Sequence, residues 1–260
     1  MRILKVERPP GDERSGVFTS GIVSVGALFF TGTQHAGENL RDVLHQRASG
    51  MVPPLLMCDA LSRNVPLLVA NCMAHGRRQF VEVTDNFPQE CRFVLETLGQ
   101  VYGFDEVAWE RGMMPDERLE FHQRQSGPLV EKLKEWFDLQ LMERKTEPNS
   151  GLGRAIRYMQ NHWKKLTLFL RKAGAPLDNN ICERALKRVV LHRKNALFYR
   201  TMHGADVGDL CMSLIHICEL NAVNAFEYLT ALLRHAPELR SAPVDWMPWN
   251  FKVSLAQLAA

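Results

Sequence analysis

Apolar residues cluster in short, β-branched runs through the first third of the chain and then recur at helical spacing to its end. Val17 to Val25 and Ala27 to Thr33 are rich in β-branched and aromatic residues. Gly26 separates them, so the segment predicts an antiparallel hairpin. Gly37 to Gln46 reads as a helix, followed by strands at Leu55 to Asp59 and Leu67 to Met73. From there the helical period dominates. Helices are expected over about Arg77 to Asp85, Gln89 to Tyr102, Pro115 to Ser126, Pro128 to Glu143, Gly151 to Arg171, Asn180 to His192, Asp206 to Glu219 and Ala225 to His235. Strands first and helices after place the chain in the α/β class.

Composition narrows the setting without naming a chemistry. The 260 residues are 46% hydrophobic, enough for one large domain with an insertion or for two modest ones. No apolar run approaches the roughly 18 residues that span a bilayer. Arg2 and Lys5 precede no signal-like core, because Glu7, Pro9 and Pro10 interrupt at once, so a cytoplasmic protein without a membrane partner is expected. The six cysteines show no framework spacing, which favours reduced thiols.

Charge changes the picture more. Between residues 151 and 200 the basic residues Arg154, Arg157, Lys164, Lys165, Arg171, Lys172, Arg184, Lys187, Arg188, Arg193, Lys194 and Arg200 face only Asp178 and Glu183, in a chain whose net charge is +3. Such asymmetry suits a phosphate backbone, since each cation that neutralises a phosphate releases condensed counterions. A solvated basic face explains the composition equally well. Within this stretch Ile181, Ala185, Leu186, Val189 and Val190 mark the apolar face of a helix, which leaves Glu183 on the accessible side. Plain charge pairing with Arg184, Lys187 and Arg188 is the commoner explanation for such an acid. Metal-assisted phosphodiester chemistry is the other.

Asp59 ends the run Pro53-Pro54-Leu55-Leu56-Met57-Cys58-Asp59. A carboxylate at the C-terminal end of a buried strand is well placed for a ligand, and capping a helix over Ala60 to Asn64 is the structural alternative. Cys72-x-x-His75 is half of a zinc pattern with no second pair at suitable spacing. No Ser or Cys sits in a nucleophile elbow, and Gly151-x-Gly153 lacks the strand and Lys-Ser/Thr partner of a phosphate loop. Trp109, Trp136 and Trp163 read as helix-core anchors, and the tail carrying Trp246 and Trp249 is expected to fold onto an apolar groove.

Taken together, several motifs resemble one family. Asp178-Asn-Asn-x-x-Glu183-Arg184, Arg193-Lys194-Asn195-x-x-Phe198, Ser213-Leu214-Ile215 and Asn221-x-x-Asn224-x-x-x-Tyr228-Leu229 resemble the C-terminal part of transposases of the insertion-sequence-66 family. Cys72-Met73-Ala74-His75-Gly76-Arg77-Arg78-Gln79-Phe80 and Trp246-Met247-Pro248-Trp249-Asn250 look like further segments of the same proteins. The motifs stand in family order over most of the chain.

That resemblance implies a DDE-type transposase catalytic domain: a ribonuclease-H-like mixed sheet, its first strand truncated, with a large α-helical insertion and a helical C-terminal part. Residues 1–86 would form the N-terminal half of the catalytic core, 87–174 the insertion, 175–236 the helices carrying the third acid, and 237–260 the tail. The implied function is DNA transposition, by metal-dependent cleavage and transfer of DNA strands. Asp59 matches the second acid and Glu183 the third, as ligands for Mg2+ or Mn2+ in a two-ion site. The first aspartate has no match, since Met1 to Val6 looks like the segment just after it; the two-ion site is expected only with that upstream residue, and a non-catalytic DNA-binding remnant is the alternative. His75, Arg77, Arg78, Arg184, Lys187, Arg188, Arg193 and Lys194 are the expected DNA contacts. The implied partners are transposon ends and target DNA, bound by a homo-oligomer.

Overall fold

The computed structural model describes residues 2–7, 25–30, 45, 53–58, 67–195 and 199–258. It is a mixed α/β chain, mostly helical, with two small sheets among the described residues. Its contacts divide it into two compact units, one formed by residues 1–47 and 181–260, the other by 48–180.

In the first unit, β1 (Arg2–Glu7) pairs antiparallel with β2 (Val25–Phe30), Arg2 opposite Phe30 and Glu7 opposite Val25. Gly26 therefore lies inside a strand, opposite Val6, and makes no turn. The hairpin expected within residues 17–33 gives way to this pairing. A lone glycine without an Asn or Asp neighbour is a weak turn signal, and an extended backbone admits it. The rest of the predicted hairpin, and the Gly37 to Gln46 helix apart from the helical His45, fall outside the described residues.

To this unit belong α6 (Asn180–Asn195, entered from the last residue of the other unit), α7 (Met202–Leu220), α8 (Ala225–Arg234), α9 (Ala236–Ser241) and α10 (Phe251–Leu258). Helix α7 packs on β2. The Ser213 hydroxyl accepts the Phe29 N–H at 2.9 Å and donates to the Asp209 carbonyl at 2.7 Å, so one side chain satisfies the sheet edge and its own helix. Phe29 is buried there with Ala185. Farther along, Cys218, Tyr228, Ala231, Trp246 and Phe251 form a separate apolar cluster. The Tyr228 hydroxyl donates to the Trp246 carbonyl at 2.9 Å, which fixes the tryptophan of the tail in an apolar groove as its sequence suggests.

In the second unit, β3 (Leu56–Cys58) and β4 (Val69–Asn71) run parallel, with Cys58 opposite Asn71. Helix α1 (Met73–Val81) follows β4 at once, then α2 (Pro88–Glu110), α3 (Pro115–Gln125), α4 (Gly127–Met142), α5 (Gly151–Leu166) and a 3-10 turn at Leu168–Leu170. Helix α2 runs eight residues past the predicted end at Tyr102, because Gly103 does not cap it and Ala108 continues its buried face. Phe80, Leu98, Leu133, Phe137, Ile156 and Met159 are among the fully buried side chains of one continuous core. Trp136 and Trp163 pack against that core as anchors. Trp109 does not: it is 56% exposed, with the Arg118 guanidinium 4.6 Å above its ring.

A polar network crosses the same unit. Asp105 on α2 accepts from the Arg118 guanidinium at 2.5 Å and lies 3.0 Å from His122 Nε2, while His122 Nδ1 is 2.9 Å from the Ser126 hydroxyl. Its Ser-His-Asp order is that of a hydrolase, but Ser126 is fully buried, so no substrate reaches it. Burial pushes the Asp105 carboxyl upward, yet His122 and Arg118 outweigh it and hold the group below its ordinary 3.8. The stability from this depressed group is therefore present above pH 3.8 and is lost as pH falls through the folded value. Asp105→Asn should cost roughly 3 kcal/mol at neutral pH. Urea melts from about pH 6 down to 2 should show the difference from wild type closing; a gap independent of pH would show that the carboxylate's charge contributes nothing.

Candidate functional site

The parallel pair β3–β4 ends in a group of polar side chains. The chain leaves β4 at Asn71 and turns straight into α1, with the Cys72 N–H donating to the Cys58 carbonyl at 3.1 Å and the Met73 N–H to the Leu177 carbonyl at 3.1 Å. This tight passage buries Asn71 to 1% exposure. Neither its amide oxygen nor its amide nitrogen has a hydrogen-bond partner among the described residues. Both faces of a parallel strand are normally covered, so a polar side chain here is expensive unless something binds it.

Around that strand end, the Asn179 N–H points at the Cys72 sulfur from 3.4 Å. Burial pushes the Cys72 thiol pKa up and Asp178 adds to it, against backbone donors from Asn179, His75 and Ala74. Tyr102 reaches in from α2. Burial pushes its hydroxyl pKa up, Asp178 and Cys72 push the same way, and Arg77 opposes them. Asp178 lies near enough to act on that hydroxyl, yet no hydrogen bond of proper geometry joins the two. Asp178 instead accepts from the Asn180 backbone N–H at 3.0 Å and from its side-chain amide, an Asx turn that starts α6.

The predicted site residues fall on both units. Asp59 follows Cys58 directly and lies outside the described residues. His75 is half-buried on α1, and Arg77 and Arg78 are exposed on the same helix. Glu183 is half-buried in the first turn of α6, where the helix dipole favours a carboxylate. Arg184, Lys187 and Lys194 are exposed along α6; Arg188 and Arg193 belong to the same helix, and their side chains lie outside the described residues.

Asn71, Tyr102 and the buried Asp209 of α7 are polar groups that sequence reading missed. Asn71 did leave a signal, as the one polar residue within the apolar run from Leu67 to Met73. Asp209 left a fainter one, sharing the helical spacing of Ala205, Ser213 and Ile217, all buried.

Asn71→Leu replaces an unsatisfied amide by an apolar group of similar size, so the variant should be more stable by about 1–2 kcal/mol. Denaturant unfolding measures it. A destabilised variant would mean that the Asn71 amide is held by a partner in the folded protein.

Among the described residues no helix is long and apolar enough to cross a membrane. A family model described as "Transposase IS66 family" matches residues 26–207. An uncharacterized protein of Sinorhizobium fredii, y4jD, is 30% identical over 206 residues, which cover 76% of this chain and 39% of that protein. A second from the same organism, y4hP, is 30% identical over 207 residues, covering 74% of this chain and 37% of its own length. The chain thus spans less than two fifths of these relatives. No solved structure matches it.

Proposed function

The chain belongs to the IS66 transposase family, and on that footing we propose that it carries part of a DDE-type site for metal-dependent cleavage and transfer of DNA strands. The observation that supports the reading best is the end of β3–β4, where the buried Asn71, in register with Cys58, has neither amide atom bonded among the described residues, and the residue that follows Cys58 in sequence is the acid Asp59. Carboxylates at the ends of parallel strands are where open α/β sheets hold ligands. A ribonuclease-H-like core is the fold this reading assumes for the full catalytic domain.

A divalent cation is the group such chemistry needs. Asp59 and Glu183 offer hard oxygen donors, and the Asn71 amide offers a neutral oxygen or a partner for a bound water, a donor set that suits Mg2+ or Mn2+. When bound, the cation would supply positive charge at the scissile phosphate. Asp59 and Glu183 would hold that cation at the site. Arg184, Lys187, Arg188, Arg193 and Lys194 would hold the flanking phosphates, with His75, Arg77 and Arg78 on the other unit in the same role. The first aspartate of the site is assigned to no residue here.

Incubating the chain with labelled duplex DNA and Mg2+ or Mn2+ tests the reading. Metal-dependent nicking supports it. Salt-sensitive binding without nicking would leave a non-catalytic DNA-binding role, and no binding at low salt would sink both.

A further inference from the structure

Charge in the second unit is sorted by helix. Helix α5 reads Gly-Leu-Gly-Arg-Ala-Ile-Arg-Tyr-Met-Gln-Asn-His-Trp-Lys-Lys-Leu: four basic residues and no acid. Helix α2, in contrast, carries five acids against one arginine, and α3 and α4 each carry an excess of acids. A solvated surface without a partner gains nothing from such segregation, since mixed signs support isolated helices better.

The α5 cations also share a face. Leu152, Ala155, Ile156, Met159 and Leu166 are buried in the unit's core. Arg154, Arg157 and Lys164 are exposed, and Lys165 is half-buried beside them. At 3.6 residues per turn these four positions fall within a sector of about 100°. No carboxylate among the described residues pairs with Arg154, Arg157 or Lys164, and Arg154 is steadied by a 2.6 Å bond to the Asn149 carbonyl. The helix itself is fixed at its start. The Ser150 hydroxyl caps it by accepting the Gly153 N–H at 3.0 Å, and a side chain at Gly153 would meet the Glu147 carbonyl at 2.3 Å. Arg154 to Lys164 spans about 15 Å along the axis, slightly more than the roughly 12 Å width of the major groove. One rigid helix can therefore meet phosphates on both backbones that border the groove.

We infer that the exposed face of α5, formed by Arg154, Arg157 and Lys164, docks the helical unit onto the phosphate backbone of duplex DNA. It contributes no base reading. The surface lies outside the residues assigned above to DNA, and it rests on the transposition reading for its partner alone. Its consequence is a grip on the duplex independent of the cations on α6.

The test is the salt dependence of duplex binding by the full chain with Arg154, Arg157 and Lys164 all changed to Gln, which keeps helix propensity. Three lost phosphate contacts should lower the slope of log K against log salt by about 2.7 in magnitude. A control with the same change in net charge, Arg111→Gln with Lys132→Gln and Lys145→Gln, should shift that slope far less. Circular dichroism checks that both variants fold. An unchanged slope in the α5 variant, or equal slopes in the two variants, would overturn the inference while leaving DNA binding as such intact. A wild-type chain that shows no salt-dependent binding at all would overturn the transposition reading and the inference with it.

Discussion

Glu183→Gln should lower metal-dependent DNA strand cleavage by roughly a thousandfold, the several kcal/mol that a metal ion gives to charge at phosphorus. The substitution keeps shape and removes one formal charge, so its effect on folding is small. Glu183 sits in the first turn of α6, half-buried, on a helix whose other charged residues are all cationic. A carboxylate there has two uses, to relieve repulsion among Arg184, Lys187 and their neighbours or to bind a cation. The two separate cleanly. If Glu183 only offsets neighbouring charge, Gln strengthens DNA binding slightly and leaves Mn2+ binding, followed by electron paramagnetic resonance, unchanged. If it is a ligand, Mn2+ affinity falls along with nicking. Lys187→Gln, by contrast, should weaken DNA binding and reduce the salt slope by about 0.9 without touching the metal. Cleavage that survives Glu183→Gln would end the assignment of this acid.

Helical periodicity made most of the fold legible. The ends of α3, α4 and α8 fall within about a residue or two of the predicted positions, because prolines at Pro115 and Pro128 and the Asn224 cap mark their starts. What periodicity could not read was strand partnership. Nothing local in Arg2–Glu7 says that it will pair with Val25–Phe30, since register is set by the partner face and not by propensity. The site shows the same division. Motif order pointed to Glu183, His75, Arg77 and Arg78, and the structure sets Glu183 in the first turn of α6 and the other three along α1. Asn71 left only its polarity within an apolar run as a signal, and such a residue looks like any strand end until the backbone passage through Cys72 and Met73 seals it from water.

Phe137→Ala should destabilise the helical unit by about 4 kcal/mol, the largest loss expected from any single truncation in that core. Phe137 is fully buried on α4. It stacks on Phe80 of α1 at 5.7 Å and 17°, meets Trp163 of α5 edge-on at 6.0 Å, and lies 5.7 Å from its neighbour Trp136. Helices from three parts of the unit therefore meet on one ring, and its removal takes away transfer energy and aromatic contacts while leaving a cavity that stiff neighbours cannot fill. Thermal unfolding should fall by roughly 10 °C on the usual scaling for a protein of this size. Trp109→Ala removes a larger side chain, yet it should cost under about 1 kcal/mol, since that ring is mostly exposed and gives up chiefly its contact with Arg118. The contrast matters for function, because the contact between Phe137 and Trp163 helps hold the basic helix α5 against α4. A Phe137→Ala variant that melts like wild type would show that α5 is held some other way.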